Sequence, residues 1–275
     1  AMPAITDWDL AYSNRDHSPD WPEFVEKWTT AAPAFREKLA SEGRMKADVA
    51  YGGGERNTLD LFLPEGEAKG LAVFLHGGYW RSFDKSLWSH LAEGAVANGF
   101  AVAMPSYTLC PQTTISGITD EITAAIDCAA GLVDGPIRLS GHSAGGHLVT
   151  RMICADTRLS SATLERIGPV LSISGVHDLR PLLRTAMNDD FKLTAEEAAA
   201  ESPALRTPLE DRKVTCWVGG AELPEFIRQN DLLANIWTGM GMDTEIVHEP
   251  GKHHFSVVDS LADQHSALTQ KWLGL

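Results

Sequence analysis

Three stretches of the chain carry residue types that can act together in acyl transfer. The first is Gly141-His142-Ser143-Ala144-Gly145, a G-x-S-x-G pentapeptide between a strand-like run and a helical pattern. The context gives the string its meaning. Glycines permit a strained, tight turn that pushes the serine hydroxyl out beyond the strand, and the next helix aims its first N–H groups at the same spot. Without that context the pentapeptide is only a small-residue strand-to-helix turn. The second stretch is His76-Gly77-Gly78-Tyr79-Trp80, after a strand-like run at 71–75. An acyl-transfer site needs backbone N–H groups pointing at the developing oxyanion. Ala144 supplies one, and Gly78 and Tyr79 are the candidates for the others. His76 is expected to fix the loop, and Trp80 fits a core position and a pocket wall equally. The third stretch, Gly251-Lys252-His253-His254-Phe255, offers the base that a serine nucleophile requires. His248 lies inside the last strand pattern and His265 in the closing helix pattern, so neither is well placed. Spacing alone does not choose between His253 and His254. The acid that orients the base is expected in Gly219-Gly220-Ala221-Glu222-Leu223-Pro224-Glu225, with Glu222 where the loop leaves its strand. Glu225 sits at a helix start behind Pro224, and Asp178 is the rival.

These loops need a scaffold that presents them together. LAVFLHGG (71–78), FAVAMPS (100–106), IRLSGHS (137–143), VLSISG (170–175) and VTCWVGG (214–220) are continuous apolar runs. Such runs suit strands buried on both faces. Helical patterns at 84–98, 116–133, 145–157 and 225–240 alternate with them. DTEIVHE (243–249) reads as the last strand and 256–273 as the closing helix. Two shorter β-rich runs, 46–51 and 58–63, come first. The sum is an α/β fold of about eight strands, antiparallel at the start and parallel afterwards, with helices on both faces. In such sheets sites form at the carboxyl ends of the strands, where the glycine-rich loops lie.

Residues 20–42 read as an amphipathic helix, with Trp21, Phe24, Val25, Trp28, Phe35 and Leu39 at helical spacing and Asp20 with Glu23 as a start signal. Packing on the body is its plainest role. A cap over the site and a contact in a homodimer are the other two. With no repeat and no linker, the 275 residues are expected to form one domain.

Composition narrows the function classes. The chain is 44% apolar and 22% charged, with a formal charge of −14. The acidic balance argues against nucleic acid and anionic membrane surfaces as partners and leaves a small-molecule substrate. No apolar run approaches a membrane span, and the N-terminal stretch lacks an apolar secretory core, so a cytoplasmic location is expected. Cys110, Cys128, Cys154 and Cys216 lie far apart, which suits neither zinc nor a disulfide framework. Cys110 lies in a loop-like stretch; the other three have apolar neighbourhoods and are expected to be buried. Adjacent loop histidines do not make a metal site, and no P-loop or G-x-G-x-x-G fingerprint occurs, so no metal and no cofactor are expected.

Gly-His-Ser-Ala-Gly-Gly (141–146), with His-Gly-Gly-Tyr-Trp (76–80) upstream, resembles the branch of the α/β-hydrolase superfamily that contains the kynurenine formamidases (arylformamidases). Residues 106–111, Ser174–Leu182 and Pro224–Gln229 are similar to further segments of that family, so the likeness runs from about 71 to 258. The resemblance implies the α/β-hydrolase fold and a base directly before a phenylalanine, here His254 before Phe255. It implies an acid three positions after the strand-ending glycine. The family's usual aspartate is replaced there by Glu222, whose extra methylene requires the loop to set back. Asp178 is left to shape the pocket. The implied activity is hydrolysis of N-formyl-kynurenine by Ser143, His254 and Glu222, with Trp80, Tyr107 and Phe255 as aromatic surface for the substrate. A carboxylesterase or thioesterase acting on small acyl groups would use the same residues. A hydrolase-fold binding protein without chemistry is the non-enzymatic alternative.

Overall fold

In the computed structural model, which describes residues 2–275, eight strands form one twisted sheet in the order β1-β2-β4-β3-β5-β6-β7-β8. They are β1 (Met45–Ala50), β2 (Thr58–Phe62), β3 (Leu71–Leu75), β4 (Ala101–Pro105), β5 (Ile137–His142), β6 (Val170–Ile173), β7 (Lys213–Gly219) and β8 (Asp243–Glu249). The β1–β2 and β2–β4 pairs are antiparallel, and the rest are parallel. Every residue of β3 and β4 is buried, whereas β8, at one edge, has only exposed and half-buried positions. Helices cover both faces of the centre, which is why its strands read as unbroken apolar runs.

The helices are α1 (Trp8–Ala11), α2 (Asn14–His17), α3 (Trp21–Ser41), α4 (Glu93–Ala97), α5 (Ile115–Ala130), α6 (Ala144–Arg151), α7 (Ser161–Arg166), α8 (Asn188–Phe191), α9 (Ala195–Ala200), α10 (Pro224–Thr238) and α11 (Ala267–Leu273). No helix among the described residues is long and apolar enough to cross a membrane. One core layer lies under α5, α6 and α10 and includes Leu75, Ile122, Leu148 and Phe226. The other lies under α3, α4 and α11, with Trp28, Phe74, Trp88 and Trp272. A buried ion cluster helps to dock α3: Asp60, buried in β2, is neutralised by Arg36 of α3 and by Lys85 at 3.0 Å.

Three expected helices differ from their patterns in type or length. The one over 84–98 begins as a 3₁₀ segment, Lys85–Ala92, that kinks at Trp88, whose ring packs 5.6 Å from that of Trp28. The one over 145–157 ends at Arg151, because the chain turns to bond residues 207–209 (Ala155 N–H to Thr207 O, 2.7 Å). The closing helix is broken into Asp259–Ala262 and α11, restarted by the Ser266 cap, and His265 lies in the turn between them. Among the cysteines, Cys110 is buried with Cys154 and Cys216, whereas Cys128, expected to be buried, is partly exposed.

Candidate active site

Register places the chemistry at one end of the sheet. Leu75 pairs with Gly141, His142 with Ile173, Ile173 with Trp217 and Gly219 with Glu249. The loops that follow these residues therefore emerge side by side. They carry His76–Trp80, Ser143, Ser174, Glu222 and His254.

Ser143 sits between β5 and α6 with φ +60° and ψ −116°, a strained conformation that only a tightly determined turn maintains. Its N–H bonds the Ile173 carbonyl at 2.8 Å. The flanking glycines are required by space: a Cβ on Gly141 would lie 2.2 Å from the Gly145 carbonyl oxygen, and one on Gly145 would lie 1.9 Å from that of Leu75. Facing Ser143 is the loop after β3. Gly78, Tyr79 and Trp80 all have positive φ (112°, 52° and 54°), and a Cβ on Gly78 would strike the Ser82 carbonyl at 2.5 Å. Among the described residues, the N–H groups of Gly78, Tyr79 and Ala144 have no hydrogen-bond partner. They are free donors beside the serine.

His254 and Glu222 form a buried pair. His254 Nδ1 lies 2.6 Å from Glu222 Oε1, and the second carboxylate oxygen accepts from Ser174 Oγ at 2.5 Å and the Gly219 N–H at 2.7 Å. Three donors thus hold a carboxylate that is closed to solvent. Glycine at 219 makes the room that the longer side chain needs: a Cβ there would lie 3.2 Å from Glu222 Cγ and 2.2 Å from the Lys252 carbonyl oxygen. The Nδ1–H donated to Glu222 leaves Nε2 of His254 as the free acceptor. His142 donates from Nε2 to the His254 carbonyl at 2.9 Å. Burial, the neighbouring His254 adding to it, holds the His142 pKa well below the usual histidine range, so it braces the loop as a neutral ring.

Ser143 and His254 open onto one cavity of about 420 Å³, walled also by Gly77, Gly78, Tyr79 and Phe255. Much of the remaining wall comes from the N-terminal segment, including Tyr12, Asn14, Trp21, Val25 and Trp28. The segment therefore covers the site as well as packing on the body. It also touches the functional loops. The Tyr79 hydroxyl donates to the Tyr12 carbonyl (2.5 Å), His17 Nε2 donates to Ala221 O (2.9 Å), and His253 pairs with Asp20 (3.2 Å). Tyr12 itself is buried, with its hydroxyl 2.5 Å from Glu225 and 3.1 Å from Gln229.

Other sequence candidates have other places. Trp80 and Tyr107 are fully buried and do not line the cavity, which corrects their expected role as substrate surface. The left-handed turn sends the Trp80 indole back into the core, where Nε1 donates to His147 Nδ1 at 3.2 Å. Tyr107 stacks on His76 at 4.4 Å and donates to its carbonyl. His76 is buried behind the loop, its pKa lowered by burial to about 4. Asp178 pairs with Arg180 and is not a cavity residue; Glu225 is held by Arg228 and Tyr12; His248 faces Asp231 at 2.7 Å. Sequence reasoning missed Ser174, His142 and the residues before 20. His142, adjacent to the serine, and Ser174, at the head of a segment similar to the family, carried a signal; the residues before 20 carried none. No group of three or more His, Cys, Asp or Glu among the described residues could hold a metal ion.

A mostly parallel sheet with a strained serine elbow, a glycine-rich loop and a His–Glu pair at its carboxyl end defines the class. Residues 72–257 match the alpha/beta hydrolase fold family, and the chain belongs to it as a hydrolase. Kynurenine formamidase of Danio rerio is 26% identical over 274 residues, 95% of this chain and 93% of its own length. That of Drosophila melanogaster is 27% identical over 236 residues, 80% of this chain and 74% of its own. Among solved structures, a Silicibacter sp. TM1040 protein described as a candidate thioesterase is 47% identical, with a TM-score of 0.92, over 98% of this chain and 100% of that one.

Proposed function

We propose that the protein is a serine hydrolase with a Ser143-His254-Glu222 triad, and that its substrate is N-formyl-kynurenine, cleaved to kynurenine and formate. The observation that carries the triad is the solvent-closed His254–Glu222 contact of 2.6 Å beside a strained serine in the same cavity. His254 Nε2 takes the Ser143 proton as Oγ attacks the formyl carbon. The N–H groups of Gly78, Tyr79 and Ala144 hold the oxyanion. Glu222 fixes the imidazole and stabilises the imidazolium that forms. The imidazolium then protonates the departing nitrogen, and a water activated by His254 releases formate from Ser143. The choice of a formamide is supported by the nearly full-length likeness to curated kynurenine formamidases. An aryl amine also leaves more readily than an alkyl amine, which suits an unassisted serine triad.

A second reading, hydrolysis of acyl esters or thioesters, is favoured by the 47% identity to the Silicibacter protein described as a candidate thioesterase. The deciding experiment measures kcat/KM for N-formyl-kynurenine beside p-nitrophenyl esters and acyl-CoA thioesters, with Ser143→Ala as the blank. A formamide value of about 10⁴ M⁻¹s⁻¹ or more, well above the others, supports the first reading. Fast ester or thioester cleavage with negligible formamide turnover keeps the triad and discards the formamidase.

A further inference from the structure

The cavity mouth carries charges that the reaction does not use. In a chain of net charge −14, two guanidiniums, Arg15 and Arg81, line this wall. Arg81 is engaged by Asp190 at 2.9 Å. Among the described residues Arg15 has no carboxylate within 4.0 Å; its guanidinium carbon lies over the Trp21 ring, 4.1 Å from the centroid. Stacking occupies the face of a guanidinium and leaves its N–H edges free to bind a carboxylate with two parallel hydrogen bonds.

The preceding residue, Asn14, is buried to 8% exposure and also lines the cavity. Among the described residues its Oδ1 has no hydrogen-bond partner. A buried amide oxygen left bare is costly unless a ligand donates to it. Asp9, on the same wall, accepts the Ala186 N–H through Oδ1 (2.7 Å), and its second oxygen has no partner among the described residues. The N-terminal segment therefore presents a free cation next to a free buried acceptor, with a carboxylate nearby.

We infer that this wall is a head-group subsite for an α-amino acid: Arg15 takes the carboxylate, and Asn14 Oδ1, with Asp9 behind it, takes the ammonium. The aromatic body of the substrate then lies toward Trp28 and Phe255, with its scissile bond at Ser143. The inference rests on the serine-hydrolase reading and is independent of whether the bond is a formamide or an ester.

The test uses matched pairs that differ only in the head group. The formamide pair is N-formyl-kynurenine and 2-formamidoacetophenone; the ester pair is O-acetyl-tyrosine and 4-methylphenyl acetate. The expected result is a preference of about tenfold or more in kcat/KM for the head-group member, carried mainly by KM, the scale of one charge-assisted contact. In Arg15→Gln and Asn14→Leu that preference falls toward unity, and Arg15→Lys recovers part of it. A variant that merely loosens the fold lowers both members together and leaves the ratio intact. An unchanged ratio in Arg15→Gln, or no preference in the wild type, overturns the subsite while leaving the hydrolase standing. If neither pair is turned over, the reaction assignment fails separately. Calorimetric titration of kynurenine against 2-aminoacetophenone then decides the subsite: tighter kynurenine binding that Arg15→Gln abolishes supports it, and equal binding overturns it.

Discussion

Ser174→Ala removes one of the three donors that hold Glu222, at a residue that does not itself line the cavity. The Ser174 hydroxyl lies 2.5 Å from Glu222 Oε2, leaving the Gly219 N–H at 2.7 Å and His254 at 2.6 Å after the substitution. A hydrogen bond to a charged group contributes about 1.5–3 kcal/mol. At about 1.36 kcal/mol per decade, full expression of that loss in the transition state would lower kcat about 10- to 150-fold. Part of it falls on folding stability instead, so a kcat reduced about tenfold is expected, with KM unchanged. Ser174 also has φ +52°, which makes Ser174→Gly the informative control. Glycine removes the backbone strain, worth about 1 kcal/mol, but not the lost donor. Its melting temperature should exceed that of Ser174→Ala while its kcat stays equally low. Steady-state kinetics on the best substrate and a thermal melt suffice. A kcat within twofold of wild type, a loss confined to KM, or recovery of kcat by glycine would refute the reasoning.

Ser143→Ala and His254→Ala should each lower kcat by several orders of magnitude, and the double variant should be no worse than the worse single, because the residues act as a unit; additive losses in a burst-corrected assay would break the triad. Glu222→Asp draws the carboxylate back by one methylene from a 2.6 Å contact, so kcat should fall at least tenfold, on the scale of a lost charge-assisted bond; wild-type turnover would show that the loop adapts freely. Tyr12→Phe strips a buried hydroxyl from Glu225 and Gln229 and should lower stability by about 1–2 kcal/mol, read as a shift in the denaturant midpoint at constant slope. Acid should destabilise the fold well before carboxylates titrate. Burial lowers the pKa of His76 and His147 to about 4 and of His177 to about 3. The unfolded chain takes up these protons below about pH 6.5 and the folded chain does not, so stability present at pH 7 is lost as pH falls toward 4, by about 2 kcal/mol per histidine by pH 5. Equal unfolding free energies at pH 7 and 5 would contradict this.

The parallel strands were readable because a strand covered on both faces must be apolar throughout, and Leu71–Leu75 and Val170–Ile173 have no polar side to hide. The elbow and the loop after β3 were readable because their glycines answer to contacts that leave no room for a Cβ. The choice between His253 and His254 was not a matter of spacing. Adjacent residues point to opposite sides of the loop: one turns to Glu222, the other outward to Asp20. Trp80 and Tyr107 were misjudged because an aromatic next to a catalytic motif has the same composition whether it faces inward or outward. Only the left-handed backbone at Trp80 decides it. Helices α1 and α2 are four residues each, too short to show a period, so the wall they build could not be anticipated.

That wall changes what the long N-terminal helix means. An amphipathic helix packed on the body needs only an apolar stripe, and α3 has one in Trp28, Ala32, Phe35 and Leu39. The polar contacts ahead of it have no such use. Tyr12 receives the hydroxyl of Tyr79, in the proposed oxyanion loop, His17 reaches the loop of Glu222 through Ala221, and Asp20 holds the neighbour of His254. Three separate loops carry or flank the groups of the proposed triad and oxyanion hole, and each is tied to a different point on one short stretch of chain. Displacing that stretch would therefore do more than uncover the cavity. It would release Tyr79, the Glu222 loop and His253 at once, because all three are bonded to residues 12–20.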